Sequence, residues 1–383
     1  MIQLADFEIR HKDYLDAVIR SGRLTYGPYS KMFEEKFSAI HDCDYGLFMN
    51  SGTSALQIAL QTLKELHGWA DGSKVVVPAL TFVAGVNIVL HCRLEPILCD
   101  VDPITLNMCP DALGKVLSKN DGVVCIIPTH IMGRPCDMDG ILSQAQGLHI
   151  IEDSCETVFT KTGGDSVGSW GDIGCFSTYA AHTLTSGVGG FATTNDPEYA
   201  NYMRSLMNHG RDTAYIDYDD KSPDWNTQRE IVEVKYRFPR IGHSYRATEM
   251  EAAIGLGQLE DKDEIKYKRM AVMVEYNRSY WGGSDLVLPF KYDEGSVVPM
   301  MYPIICPPGK RTSVRDALEQ AGVETRDIVQ ILHQPCYSGM WNPEDYPHAN
   351  RISRDCLLVP CHQKVSQGDV ELIVDVASKA SLK

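Results

Sequence analysis

From about residue 45 onward, short apolar runs alternate with stretches in which apolar residues recur every three or four positions. Such runs are typical of buried strands, and such stretches are typical of helices with one apolar face. The pattern predicts strands over residues 45–50, 74–77, 96–100, 123–128, 148–152 and 174–179. It predicts helices over residues 52–67 and 83–92. This alternation favours an α/β domain with a mainly parallel sheet, whose ligands bind at the carboxyl ends of the strands.

The pattern changes towards the C-terminus. A long helical stretch, from about residue 247 to residue 280, ends before Gly282 and Gly283. Beyond it the sequence predicts strands over 297–306 and 323–328 and helices over 312–320 and 367–378. We therefore expect a large domain over residues 1–255 and a smaller C-terminal α+β domain over 256–383, with the boundary between 255 and 285.

Charge and composition narrow the classes of partner. The formal net charge of −15 makes nonspecific binding to nucleic acid or an anionic membrane surface unfavourable. The most apolar run, residues 75–90, is shorter than the roughly 20 residues of a membrane-spanning helix, and the charged N-terminal residues do not resemble a secretory signal. The twelve cysteines include no CxxC pair and no Cys/His cluster with zinc-ligand spacing. We therefore expect a cytoplasmic protein with reduced cysteines, no metal site and no nucleic-acid or membrane partner.

Residues 50–55, with the sequence NSGTSA, lie where a predicted strand turns into a predicted helix. A helix N-terminus offers free N–H groups and a partial positive charge, and Gly52 allows a close backbone approach, so the segment suits a phosphate group. Because serine and threonine also favour the first position of a helix, a simple N-cap explains the same residues.

Several segments, in order along nearly the whole chain, resemble the DegT/DnrJ/EryC1/StrS sugar aminotransferase family. They include NSGTSALQIAL, IEDSCET, VGSWGDIGCFSTYAAHTLTSGVGGFATTND and SYRATEMEAAIGLGQL. The resemblance implies the fold-type-I, aspartate aminotransferase-like architecture of enzymes that use pyridoxal 5'-phosphate or pyridoxamine 5'-phosphate. It also implies a homodimer with the active site between the two subunits.

The resemblance assigns residues to the cofactor phosphate. The Gly52-Thr53 backbone matches the phosphate site, and Ser177, five residues before His182, matches the hydroxyl donor. Ser244 stands where the family usually offers an asparagine to the phosphate of the neighbouring subunit.

The resemblance assigns three further residues to the cofactor ring. Phe82 matches the aromatic side chain that stacks on the pyridine, and Glu156 stands near the ring hydroxyl, where the family often has glutamine or histidine. Asp153 matches the carboxylate that keeps the pyridine nitrogen protonated, so that the ring can accept electrons from a breaking bond.

His182 distinguishes this chain from the family's aminotransferases. In those enzymes a lysine stands seven residues before the first glycine of a Gly-Gly pair, and here that spacing from Gly189 leads to His182. A stable imine to the cofactor aldehyde needs a primary amine, which an imidazole lacks. Lys161 lies nearby but in a glycine-rich loop that we expect to be exposed. Pyridoxamine phosphate is therefore the expected resident, with His182 moving protons from an ordinary pKa of about 6.5.

This replacement resembles the branch of the family that removes the C3 hydroxyl of nucleotide-linked 4-keto-6-deoxy sugars, such as the GDP-4-keto-6-deoxymannose 3-dehydratase of the colitose pathway. One subtype carries an iron–sulfur cluster, whose ligation needs grouped cysteines. No cysteine lies between Cys175 and Cys306. We therefore expect the other subtype, a lyase-type dehydratase in which glutamate regenerates the amine of the cofactor.

Other interpretations stay open. Ala181 and Thr183, which flank His182, differ from both subtypes, so the substrate can be another keto-sugar of natural-product biosynthesis. An aminotransferase that works without the lysine and a non-catalytic binding protein are the remaining alternatives. Arginines that could bind the nucleotide diphosphate or the glutamate carboxylate, which the sequence does not rank, are Arg211, Arg246 and Arg326. Weaker candidates for proton transfer are His209, His243, His333 and His362.

Overall fold

The computed structural model describes all residues except 7, 213–223, 227–228, 230–232, 234–235 and 291–296. Its first part contains nine strands among these residues, in chain order: β1 Tyr45–Met49, β2 Lys74–Pro78, β3 Glu95–Cys99, β4 Val123–Ile126, β5 His149–Asp153, β6 Lys161–Thr162, β7 Asp165–Ser166, β8 Ile173–Ser177 and β9 Gly190–Thr194. Strands β6 and β7 form a separate two-stranded hairpin. The other seven form one sheet in the order β1-β9-β8-β5-β4-β2-β3.

The central part of the large sheet is parallel, as predicted. Strands β3, β2, β4, β5 and β8 pair in parallel, whereas β9 runs antiparallel to both β8 and β1. Strand β9 was not predicted from the sequence, because the second half of the strand is polar. Thr193 and Thr194 are nevertheless buried there, since their hydroxyls donate to the carbonyls of Gly174 and Asp172 at 3.4 and 2.8 Å.

Nine helices of the described residues precede residue 280: α1 Lys12–Ser21, α2 Pro28–Ile40, α3 Gly52–Leu66, α4 Val83–His91, α5 Pro110–Leu117, α6 Met138–Gln144, α7 Pro197–Leu206, α8 Glu249–Glu260 and α9 Lys262–Arg278. The predicted helical stretch over 247–280 is thus two helices that meet at Asp261, whose backbone leaves the helical region at φ −102° and ψ 16°. Thr248 begins α8 with a capping box formed with Glu251, which fixes the first turn.

The C-terminal part contains a second, three-stranded antiparallel sheet in the order β10-β12-β11. Its elements are β10 Tyr302–Ile305, α10 Arg311–Gln320, β11 Arg326–Asp327, α11 Pro347–Asp355, β12 Cys356–Val359 and α12 Gln367–Leu382. Short 3-10 turns cover Ile131–Gly133, Pro335–Tyr337 and Pro343–Asp345. The predicted domain boundary stays a prediction.

The predicted strands 297–306 and 323–328 are both too long. The segment before β10 instead packs irregularly against the loop after β4, because the Met300 N–H donates to the Met132 carbonyl at 3.1 Å. A Cβ atom at Gly133 would lie 2.0 Å from the Val298 carbonyl oxygen, so only glycine allows this close approach. The contact joins the C-terminal part to the large sheet at the carboxyl ends of its strands.

A cluster of phenylalanines fills the space between α2 and the β1, β8 and β9 end of the large sheet. Phe37 stacks on Phe191 with ring centroids 3.9 Å apart, and the His41 ring lies 4.3 Å from that of Phe176. His41 is completely buried. Within the described residues, no helix combines the length and the apolar character needed to cross a membrane.

Candidate functional site

A cleft of about 550 Å³ lies at the carboxyl ends of β1, β5 and β8. This is the edge at which parallel α/β sheets bind ligands. Seven of the eight residues assigned to the site by sequence line it, namely Gly52, Thr53, Phe82, Asp153, Glu156, Ser177 and His182. These residues come from five separate segments of the chain. The fold therefore brings residues that are distant in the sequence to one cleft.

The N-terminus of α3 forms one end of the cleft. Ser51 is the N-cap, and its hydroxyl accepts the Ser54 N–H at 3.1 Å. Gly52 and Thr53 begin the helix, and the first N–H groups of a helix have no partner inside it. The predicted N-cap is confirmed at Ser51, and Gly52 and Thr53, which follow it, line the cleft. The phosphate site at these two residues stays a prediction.

Close packing at the start of α3 explains why glycine stands at positions 52 and 190. A Cβ atom at Gly52 would lie 2.6 Å from Cys155 Sγ and 2.9 Å from Ser177 Cβ. A Cβ atom at Gly190 would lie 2.3 Å from the Gly52 nitrogen. Gly190 thus lets β9 approach the start of α3, and Gly52 lets Ser177 lie close to that helix N-terminus.

Asp153, the last residue of β5, is a buried carboxylic acid at the floor of the cleft. Its Oδ1 accepts the Cys155 N–H at 3.1 Å, and the side chain forms no ion pair with any residue that the structure describes. Burial raises the pKa of Asp153 above its ordinary value, because a buried carboxylate is poorly solvated, and the charge of His130 opposes part of that shift. A cationic group bound in the cleft would reverse that shift.

Glu156 is held against the loop that follows β4. Its Oε2 accepts the Met132 N–H at 3.0 Å, and Met132 adopts a left-handed backbone conformation with φ 54°. Burial raises the pKa of Glu156 to about 7, against an opposing effect of the Arg326 charge. Glu156 therefore changes its charge near neutral pH.

His182 lies in the loop between β8 and β9. The His182 N–H donates to the Tyr179 carbonyl at 2.9 Å, and hydroxyls of Thr178 and Ser186, 2.6 Å apart, tie the ends of the loop together. The imidazole is half-buried, and its Nδ1 has no hydrogen-bond partner among the described residues.

The surroundings of His182 shift its pKa away from the ordinary value of histidine. Burial lowers the pKa of His182 to about 4, and the positive charges of Arg326 and Arg269 add to that shift. The imidazole is therefore neutral at pH 7 and can accept a proton there.

Ser244 is the one assigned residue that does not line the cleft of its own chain. It is exposed, and its neighbour Tyr245 accepts the Asn50 N–H at 2.8 Å, so Ser244 lies near the rim but outside it. Lys161 also lies outside, in the β6–β7 hairpin, where its ammonium pairs with Asp42 at 2.7 Å. No lysine lines the cleft in the described parts of the chain.

Of the three candidate arginines, Arg326 lines the cleft, and Arg211 and Arg246 do not. None of the four weaker histidine candidates lines it either. They bond elsewhere, His209 to Arg246, His243 to Gln61, His333 to Asn350 and His362 to the Gln3 carbonyl.

Part of the cleft lining was not predicted from the sequence. Apolar residues from a 3-10 turn and from loops also line the cleft, and they include Met132, Met300 and Val329. No periodic pattern marks such positions, so only the folded chain identifies them.

Comparison with known proteins places the chain in a group of sugar-modifying enzymes. A profile described as the DegT/DnrJ/EryC1/StrS aminotransferase family matches residues 6–377. GDP-perosamine synthase of Caulobacter vibrioides is 31% identical over 356 residues, which cover 91% of this chain and 89% of the relative.

Two solved structures have similar folds. DesV of S. venezuelae has a TM-score of 0.84 at 26% identity, and the match covers 97% of this chain and 94% of the other. The E. coli GDP-4-keto-6-deoxy-D-mannose-3-dehydratase with bound hydrated PLP has a TM-score of 0.85 at 20% identity, over 98% and 99% of the two chains. These matches confirm the predicted fold class, and the family confirms the predicted cofactor, pyridoxal or pyridoxamine phosphate.

Proposed function

Since the chain belongs to the DegT/DnrJ/EryC1/StrS aminotransferase family, we propose that it is a dehydratase that removes the C3 hydroxyl of a nucleotide-linked 4-keto-6-deoxy sugar. One observation carries the proposal: His182 lines the cleft, and no lysine lines it among the described residues. An imidazole cannot hold the cofactor through a covalent bond to its aldehyde, whereas its neutral form has a nitrogen lone pair that can take up a proton.

The helix end of the cleft fits the phosphate of the cofactor. The N–H groups of Gly52 and Thr53 and the hydroxyl of Ser177 would hold the phosphate, because a helix N-terminus favours an anion. Ser244 would reach the phosphate bound by a neighbouring subunit, which agrees with its exposed position near the rim.

The floor of the cleft fits the ring of the cofactor. Asp153 would pair with the ring nitrogen, which would give an ion-pair partner to a buried carboxylate that forms none with the described residues. Phe82, whose side chain is 54% exposed, would stack on the ring, and Glu156 would lie beside the ring hydroxyl. When bound, the cofactor supplies a conjugated ring that accepts electrons from a breaking bond.

His182 would act first as a base and then as an acid. As a neutral imidazole at pH 7, it can accept the proton released during the reaction without first losing one. The protonated ring is then poorly stabilised, because the same burial that lowers its pKa disfavours its charge. His182 would therefore readily pass the proton to the C3 hydroxyl, which leaves as water.

We propose glutamate as the donor that restores the cofactor amine. An iron–sulfur cluster needs several thiolates together, and one cysteine, Cys155, lines the cleft within the described residues. Burial raises the pKa of Cys155 well above its ordinary value, so it remains a thiol.

We also propose a homodimer. Three large apolar side chains at the cleft are open to solvent in the single chain, Phe82 at 54%, Tyr179 at 53% and Val188 at 49% exposure. A second subunit that covers them would shield the cleft from water and bring Ser244 of one chain to the site of the other.

A sugar aminotransferase that works without the lysine is the second candidate. It is favoured by a relative named as a synthase of an amino sugar, GDP-perosamine synthase, at 31% identity over most of both chains. The two candidates differ in product, since the dehydratase releases ammonia and the aminotransferase leaves nitrogen on the sugar.

Product analysis tests the proposal. The purified protein would be incubated with pyridoxamine phosphate, glutamate and a panel of nucleotide-linked 4-keto-6-deoxy sugars that differ in nucleotide and stereochemistry. We expect a 3-deoxy-4-keto sugar by mass spectrometry, together with free ammonia, from at least one substrate. An amino sugar as the sole product would replace the proposal with the aminotransferase, and absence of cofactor binding would overturn both.

A further inference from the structure

A buried arginine without an acidic partner lies between α9 and the segment that precedes β10. Arg269 is 3% exposed, and it forms no ion pair with a residue that the structure describes. Its Nη1 instead donates to the carbonyls of Pro299, Met300 and Cys361, at 3.1, 3.1 and 3.3 Å. Burial lowers the pKa of Arg269 to about 10, so the side chain is still charged at pH 7. The carbonyls therefore compensate a buried positive charge, which makes these hydrogen bonds strong.

Two of these carbonyls belong to the segment that meets the cleft. The Pro299 carbonyl and the Met300 N–H are the two ends of one peptide group, and that N–H donates to the Met132 carbonyl at 3.1 Å. Met132 and Met300 both line the cleft. A charged donor at the carbonyl end of a peptide group polarises it, which strengthens the hydrogen bond that its N–H makes. Arg269 therefore stabilises the contact between Met300 and Met132.

Met132 in turn fixes a titratable side chain of the cleft. Its N–H donates to Glu156 Oε2 at 3.0 Å, and the next N–H, that of Gly133, donates to Thr157 Oγ1 at 3.1 Å. Burial raises the pKa of Glu156, and the hydrogen bond from Met132 opposes that shift because it favours the charged form. The pKa of Glu156 therefore reports whether Met132 keeps its place.

We propose that Arg269 is a positioning residue of the cleft, which holds Glu156 in place through the contact between Met300 and Met132. The inference rests on the proposed function, in which Glu156 lies beside the ring hydroxyl of the cofactor. Arg269 does not itself line the cleft, so it acts there through the residues that it holds.

Variants of Arg269 separate its charge from its hydrogen bonds. Arg269→Met removes both, and the milder Arg269→Gln removes the charge but leaves an amide that can donate to one carbonyl. Arg269→Lys keeps the charge and three donors.

Two further variants complete the set. Gly133→Ala disturbs the same contact while the charge of Arg269 stays, because a Cβ atom there would lie 2.0 Å from the Val298 carbonyl oxygen. The control is Tyr276→Phe, which removes another buried hydrogen bond of α9, from the Tyr276 hydroxyl to the Pro360 carbonyl at 2.8 Å.

The titration of Glu156 is the readout, because a purely structural role of Arg269 would lower stability without changing the pKa of a cleft residue. NMR of isotope-labelled glutamate side chains in the full-length, cofactor-free protein would follow it, with Glu156→Gln to assign the signal. The charges of Asp153 and Arg326 also act on Glu156, and both residues are kept in every variant.

We expect the midpoint of the Glu156 titration to rise by about 1 pH unit in Arg269→Met and Gly133→Ala, since a hydrogen bond to the charged form is lost. Arg269→Gln should show a smaller rise. Arg269→Lys should stay close to the wild type, and Tyr276→Phe should match it.

Two results would overturn the inference. One is an unchanged midpoint in folded Arg269→Met, or in Arg269→Gln if the methionine variant does not fold. The other is an equal rise in Tyr276→Phe, which would show a general loosening around α9. Failure of the proposed function looks different: the wild-type protein would form no 3-deoxy product, yet the effect of Arg269 on the Glu156 titration could still be measured.

Discussion

His41 and His182 both have a lowered pKa, but the surroundings of their rings differ. Burial lowers the pKa of both imidazoles to about 4, so both are neutral at pH 7. His41 is enclosed by the rings of Phe37, Phe176 and Phe159, and its Nδ1 lies 3.2 Å from the Val167 carbonyl. His182 instead lines a cleft, and its Nδ1 has no partner among the described residues.

The difference shows that a lowered pKa alone does not identify a catalytic histidine. At His41 the neutral ring is a packing element, because apolar side chains leave no space for a reactant. At His182 the same neutral ring shares a cleft with Asp153 and Glu156, two carboxyl groups whose pKa values burial raises. Titratable groups that share a cleft and have shifted pKa values are typical of active sites.

The largest expected effect is at His182. We predict that His182→Lys loses about 10²- to 10⁴-fold in dehydration rate, the usual contribution of a positioned acid–base group. The new primary amine should also attach the cofactor covalently, which borohydride reduction and mass spectrometry of the protein would detect. His11→Lys, at an exposed histidine paired with Asp261, is the control and should show neither change. Dehydration at the full rate in His182→Lys would remove His182 from the mechanism.

The second-largest expected effect is on the free energy of unfolding and arises from His41. Its pKa is lowered in the folded state, so its neutral form stabilises the fold above pH 6.5, and this contribution is lost as pH falls towards 4. At pH 5 the loss should be about 2 kcal/mol. We expect His41→Phe to flatten the decline of the urea midpoint between pH 7 and pH 5. An equally steep decline in the variant would show that other groups cause the acid sensitivity.

The third-largest expected effect is on cofactor affinity and concerns Asp153. We expect Asp153→Asn to bind pyridoxamine phosphate about 10- to 100-fold more weakly, because an amide cannot supply the charge that pairs with the ring nitrogen. Fluorescence titration with the cofactor measures the change. The control is Asp165→Asn, at an exposed residue of β7 outside the cleft, which should bind as the wild type does. Equal affinity in Asp153→Asn would separate Asp153 from the cofactor.

The smallest effect concerns Glu156. Its pKa of about 7 means that the neutral acid gives way to a carboxylate as pH rises from 6 to 8, which adds a negative charge to the cleft. We expect the dehydration rate of the wild type to fall over that range, within about tenfold. Glu156→Gln should show a flat profile there, since glutamine stays neutral. A fall of the same size in the variant would assign the titration to another group.

Much of the fold follows from local sequence. The buried strands of the parallel sheet were predicted because their apolar runs are continuous, and α3 because its apolar residues recur with helical spacing. Strand β9 was missed because its buried threonines satisfy their hydroxyls with carbonyls of other strands. The break at Asp261 was missed because neither a glycine nor a proline stands at that position.

The candidate site likewise has some features that the sequence marks and others that only the folded chain shows. The spacing of His182 from Gly189 and the strand-to-helix turn at Gly52 are properties of short segments, so the sequence marks them. The choice of Arg326 among three arginines depends on which segments meet at the cleft, and no spacing along the chain reports that.

The sequence by itself determined which chemical groups are present: an imidazole in place of an amine at position 182, a glycine pair after it, and a carboxylate at the end of β5. Only the tertiary structure decided how those groups behave. A pKa depends on how much water and charge surround a group, and residues distant in the chain supply both. For that reason the lowered pKa of His182, the raised pKa of Glu156 and the outward position of Ser244 became visible once the chain was folded.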